Sequence, residues 1–205
     1  MKLHILYILL LPYLLAGCHV NSDNSNSPLS PPTKQSISAV VFKTLSGQDT
    51  TLHGVLHSRA SVFIFLAPDC PLSQSYSLTL NELSKKYINN NIGFYGVFPG
   101  TSHTRDEMQN FQKKYSIVFP MIVDSAYTLT NLFNAATTPE AFVTDSTSIV
   151  LYSGRIDNWA YEVSKKRDLI TEHDLQNALD CIVDNKPIAV SQTKAVGCFI
   201  EIPKK

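Results

Sequence analysis

Cys70, Cys181, Cys198 and His103 are among the side chains beyond the N-terminal region whose types could do redox or metal chemistry, while His53, His57 and His173 read as surface or turn residues. Cys70 follows the apolar run SVFIFLA (61–67) and the break Pro68-Asp69, and a polar stretch with helical spacing begins after it. A thiol at that point sits at the mouth of a helix. Unpaired backbone N–H groups and the positive end of the dipole there stabilise a thiolate and lower its pKa. Pro71 suits the first turn, where its missing N–H costs nothing. Cys70 is therefore expected to be an accessible attacking thiol. Asp69 acts against the dipole, because a neighbouring carboxylate raises a thiol pKa. Ser73 stands where a C-x-x-C dithiol would have its second sulfur, so Cys70 cannot close a local disulfide. The bland alternative is a small, inert apolar residue in a strand–helix turn. Cys198 lies in the tail TKAVGCFI (193–200). If that tail folds back over the domain, Cys198 is the preferred resolving thiol. A Cys181–Cys198 bridge and a free thiol remain open. An odd number of cysteines after Cys18 leaves at least one free or paired with another chain.

The 205 residues carry 17 basic and 17 acidic side chains and no basic stripe, which argues against a nucleic-acid partner. The opening MKLHILYILLLPYLLAGC has a basic start and an apolar core too short to span a bilayer, as expected of a signal peptide over 1–17. Leu15-Ala16-Gly17-Cys18 resembles the lipobox of bacterial lipoproteins, which implies lipidation of Cys18 and a place in the cell envelope. His19 after it points to the outer membrane, facing the periplasm. Residues 18–36 are Ser/Asn/Pro-rich and read as a disordered tether. A single domain is expected over 37–186, followed by a tail over 187–205 that contains Cys198.

These groups need a frame. Residues 38–55 read as short strands around the turn Ser46-Gly47-Gln48-Asp49. Residues 61–67 read as a central strand covered on both faces, 73–90 as a helix and 92–98 as a second strand. Thr104 and Glu107 form a capping-box pattern ahead of a helix with Met108, Phe111 and Tyr115 on its apolar face. Residues 119–123 read as extended, 127–133 as a short helix, and 141–143 with 149–155 as a hairpin. A last amphipathic helix is expected over 171–183, with Thr171 and Asp174 as its capping pair. The order predicts an α/β fold, a mixed central sheet with helices on both faces.

The strand entering Cys70-Pro71, the segment Gly96-Val97-Phe98-Pro99, Thr138-Pro139 before the hairpin and LYSGRID (151–157) together resemble the redoxin branch of the thioredoxin-like superfamily. That branch includes peroxiredoxin-like and membrane-attached thiol–disulfide proteins. The resemblance implies a cis peptide at Pro139, with Pro71, Thr138 and Pro139 forming a substrate groove beside Cys70. It implies exchange with thiols or disulfides of exported proteins and no cofactor. Ala67 and Phe63 stand where peroxide-reducing relatives carry a hydroxyl residue and a proline, which argues against peroxidase activity. Copper-handling relatives suggest a second reading, in which Cys70 binds copper with Cys198 or His103. A third is a non-catalytic adaptor. Arg155 and Asp157 line the site rim by resemblance, but a strand-end salt bridge is the simpler expectation. Lys165-Lys166-Arg167 reads as a solvated charge run.

Overall fold

The computed structural model describes residues 41–56 and 59–203. The expected signal segment 1–17, Cys18 and the tether over 18–36 lie outside the described residues. A seven-stranded mixed sheet forms the centre. Its strands are β1 (Val41–Thr44), β2 (Asp49–Thr51), β3 (Ala60–Phe65), β4 (Ile92–Pro99), β5 (Met121–Asp124), β7 (Glu140–Asp145) and β8 (Val150–Gly154). They run in the order β2-β1-β5-β4-β3-β7-β8. β3 pairs in parallel with β4 and β4 with β5, while β7 is antiparallel to both β3 and β8.

All six residues of β3 are buried, and their alternation divides the molecule into two cores. Val62 and Ile64 face α2 (Pro71–Tyr87), α3 (Arg105–Lys114) and α5 (Asp174–Val183) through Leu80, Phe111 and Leu179. Phe63 and Phe65 face the short α1 (Leu52–Val55) and α4 (Thr128–Phe133) through Leu52, Leu129 and Phe133. Period-two side-chain alternation gives each face its own apolar set, and each fully buried Phe or Ile contributes about 1.5–3 kcal/mol.

Most expected elements form with small shifts. α2 starts two residues earlier than its periodicity suggested, because Pro71 occupies the first helical position and Cys70 the N-cap. Thr104 and Glu107 form the expected reciprocal box. The last helix departs from expectation: it begins at Asp174 with His173 at the N-cap and no side-chain capping bond. Thr171 and Asp174 are engaged elsewhere. The Thr171 hydroxyl accepts from Asn158 Nδ2 at 2.7 Å, and Asp174 Oδ2 accepts from Arg155 Nε at 2.7 Å.

Beyond α5 the chain returns along the domain. Thr193 N–H donates to Ser153 O at 2.9 Å. The two-residue strands β6 (Thr137–Thr138) and β11 (Cys198–Phe199) then pair antiparallel, Cys198 opposite Thr138 and Phe199 opposite Thr137. The strands β9 (Ala160–Glu162) and β10 (Lys165–Lys166) make a separate ribbon, exposed apart from Ala160.

Candidate active site

Cys70 occupies the turn between β3 and α2. Its carbonyl accepts the first helical bond, from Gln74 N–H at 3.0 Å, and Gln74 Nε2 donates to Pro68 O at 2.8 Å, which fixes the loop. Ser73 is buried one turn into the helix, and its Oγ accepts from Ala67 N–H at 3.2 Å. The hydroxyl therefore braces the loop from the place where a second thiol would stand.

Opposite Cys70 lies the loop carrying the Thr138–Pro139 peptide bond, which is cis. The Cys70 thiol donates to Thr138 O at 3.0 Å, so its sulfur faces this loop. Cys198 Sγ lies 2.7 Å from Cys70 Sγ, as a donor to it. The two sulfurs come from positions 128 apart in sequence, brought together by β11 lying on β6. Gly197 permits that approach: a Cβ there would stand 2.0 Å from Thr138 O. Ile200 N–H to Ala136 O at 2.9 Å and Tyr127 Oη to Glu201 O at 3.1 Å hold the strand further along.

One expectation is overturned. Cys70 is only 1 % exposed, so it is not an accessible thiol in this arrangement. Its cover includes Cys198 on the chain's own tail, which also lies along the expected groove; Thr138 and Pro139 are buried, while Pro71 stays exposed.

Burial raises the pKa of Cys70, but hydrogen bonds to its thiolate outweigh that effect and leave the pKa below the ordinary value. They come from the Cys198 thiol, the backbone N–H groups of Ser73 and Cys198, and the Ser73 hydroxyl. On ionisation Cys70 gives up its bond to Thr138 O and becomes an acceptor only. Cys198 moves the opposite way, pushed up to about 12 by burial, by its bond to Cys70 and by the charges of Cys70 and Asp69. Of the two, Cys70 is therefore the first to ionise, and Cys198 is the one that keeps its proton.

His103 does not join the two sulfurs. Its Nε2 lies 3.2 Å from Asp69 Oδ1, and among the described residues no three His, Cys, Asp or Glu side chains converge as a metal-holding group. The ligand set Cys70, Cys198 and His103 is therefore not assembled. Cys181 is a free thiol on α5, half-buried, and its neighbourhood includes Arg155 and Ile188. Arg155 pairs with Asp174 and Glu172, the strand-end salt bridge. Asp157 is buried behind the cis-proline loop and accepts from Tyr76 Oη at 2.6 Å, tying α2 to the segment after β8. Lys165, Lys166 and Arg167 are all exposed, as a solvated charge run would be, with Lys166 over the Trp159 ring at 4.4 Å and Arg167 over the Tyr161 ring at 5.1 Å. Sequence reasoning missed the Asp69–His103 pair, the Tyr76–Asp157 bond and the part played by Gly197. Only Gly197 left a signal, a glycine directly before a tail cysteine.

Solved structures with the same fold include a hypothetical protein from Sinorhizobium meliloti 1021 (22 % identity, TM-score 0.70, 78 % of this chain and 89 % of that one). An uncharacterized conserved protein from Geobacillus kaustophilus is similar at 19 % identity and TM-score 0.71, over 80 % of this chain and 89 % of that one. A secreted Mycobacterium tuberculosis disulfide oxidoreductase homologous to E. coli DsbE matches at 16 % identity and TM-score 0.52, over 75 % of this chain and 99 % of that one. No curated protein gives a significant match. The family model described as AhpC/TSA matches residues 34–153, from before the first strand into β8 and across Cys70 and the cis-proline loop. With that match spanning more than half the sequence, the chain belongs to the AhpC/TSA family of thioredoxin-like redoxins.

Proposed function

We propose that this protein carries out thiol–disulfide exchange with exported proteins, with Cys70 as the attacking thiol and Cys198 as its resolving partner. The observation that carries this reading is the 2.7 Å approach of the two sulfurs beside the cis Thr138–Pro139 bond. When the tail lifts, the Cys70 thiolate attacks one sulfur of a partner disulfide, and the other partner sulfur leaves as a thiolate. Thr138 and Pro139 then border the extended partner segment. Cys198, on the returning tail, attacks Cys70 Sγ, releases the second partner thiol and closes a Cys70–Cys198 disulfide. The partner gains two electrons and the protein loses two. Ser73 leaves this second step to Cys198.

Mild oxidation of the protein followed by peptide mass mapping is expected to give a Cys70–Cys198 link with Cys181 free. A Cys181–Cys198 link with Cys70 unmodified would end this reading.

The site of action belongs to the same proposal: attachment through lipid on Cys18, in the envelope and facing the periplasm. It is supported by the sequence Leu15-Ala16-Gly17-Cys18 after an apolar core. Labelled fatty acid fed to cells producing the protein should mark the native chain and not the Cys18→Ala variant. Equal labelling of both would remove the anchor.

A further inference from the structure

A cavity of about 330 Å³ lies over the outer side of the sulfur pair. Ala67, Asp69, His103, Cys198 and Glu201 are among its lining residues, and Cys70 is not. Cys198 is half-buried and borders this space, whereas Cys70 is 1 % exposed behind it. The acidic side chains around the cavity are Asp69, with 76 % of its side-chain surface open, and exposed Glu201. Among the described residues lining it, the basic side chain is His103, already paired with Asp69. Two carboxylates thus stand against one imidazole among the described lining residues.

We propose that this cavity is the entry site for a small-molecule thiol bearing an ammonium group, which reduces the oxidised protein by attacking Cys198 rather than Cys70. This rests on the Cys70–Cys198 couple proposed above and adds the chemical class of its electron donor. In the first step the small thiolate attacks Cys198 Sγ. The Cys70–Cys198 bond breaks, its electron pair leaves on Cys70 Sγ, and a mixed disulfide forms between Cys198 and the small thiol. A second small thiol attacks the outer sulfur of that mixed disulfide, giving the symmetric small disulfide and releasing Cys198 as a thiolate that takes up a proton. Two small thiols are oxidised and one protein disulfide is reduced. Cys70 suits the leaving role, because the hydrogen bonds from Ser73 receive its charge and a well-stabilised thiolate leaves faster. The tail remains seated throughout, so this half of the cycle needs no opening of the groove. A thiol with a cationic group is drawn to the acidic mouth, whereas one with a sulfonate is repelled.

The test uses the full chain, oxidised, with any free cysteine blocked by N-ethylmaleimide and the Cys70–Cys198 link verified by mapping. If that link never forms, the function proposed above fails before this inference is reached. The oxidised protein is then mixed with cysteamine or with 2-mercaptoethanesulfonate at low ionic strength, stopped early, capped with iodoacetamide and mapped. The expected result is an early adduct on Cys198 with the cap on Cys70. Cysteamine should react several-fold faster than the sulfonate, each rate being normalised to its reaction with a simple soluble disulfide. Asp69→Asn should bring that ratio toward one. An early adduct on Cys70, or a ratio that Asp69→Asn leaves unchanged, would overturn the proposal.

Discussion

Gly197 is the residue on which the closure of Cys70 depends. Its absent Cβ leaves room for Thr138 O, a backbone atom that cannot swing aside as a side chain would. Overpacking of this kind costs about 1–3 kcal/mol, and each 1.4 kcal/mol changes an equilibrium tenfold. Gly197→Ala is therefore expected to lift β11 and raise the alkylation rate of Cys70 in the reduced protein by roughly tenfold or more, with the fold intact by circular dichroism. Unchanged Cys70 reactivity in a folded variant would mean that the tail does not control access. At this scale the sequence was half legible. Cys70 could be placed because a β-rich apolar run, a proline and a helical stretch meet there, and each is a local signal. Its burial could not be read, because the groups that cover it include Cys198, whose approach depends on tertiary contacts alone.

Elements were legible where burial and periodicity agree. The run 61–67 reads as a strand covered on both faces because Val62 and Ile64 serve one core while Phe63 and Phe65 serve the other. α3 was legible from Thr104 and Glu107, whose side chains are close in sequence and find each other without outside help. The same reasoning placed α5 three residues too early. Its supposed capping pair is taken by partners brought in from elsewhere, Asn158 for Thr171 and Arg155 for Asp174. An accepting side chain with two available donors goes to the one that best offsets its burial, and a charged guanidinium outcompetes a backbone N–H. α4 shows the converse. Asp124, at the end of β5, accepts from the N–H groups of Thr128, Leu129 and Thr130 and from the Thr130 hydroxyl. A buried carboxylate thereby serves the helix start that Tyr127, in a left-handed conformation and with no side-chain bond, leaves open. This fastening matters to the site, because α4 leads directly into β6, the strand on which Cys198 rests.

For the molecule as a whole, the sulfur pair links the state of the tail to pH. Cys70 is held below its ordinary value of 9.0 in the folded chain, so its contribution to stability is complete above 9.0 and disappears as pH falls through the lowered value. Cys198 is held up at about 12, so its contribution is complete below 9.0 and disappears as pH rises toward 12. The two contributions overlap at the ordinary thiol value, where the folded pair keeps one proton between two sulfurs. Reduced protein should therefore gain resistance to urea, relative to a Cys70→Ala/Cys198→Ala variant, as pH approaches 9.0 from below, and lose it above. Taking the difference between the two proteins cancels the ionisation of their shared tyrosines and lysines. The oxidised protein, which has no titrating thiol in the pair, should show no such maximum. A flat difference in the reduced state would mean that the sulfurs do not share a proton. A maximum that persists after oxidation would assign the pH dependence to other groups.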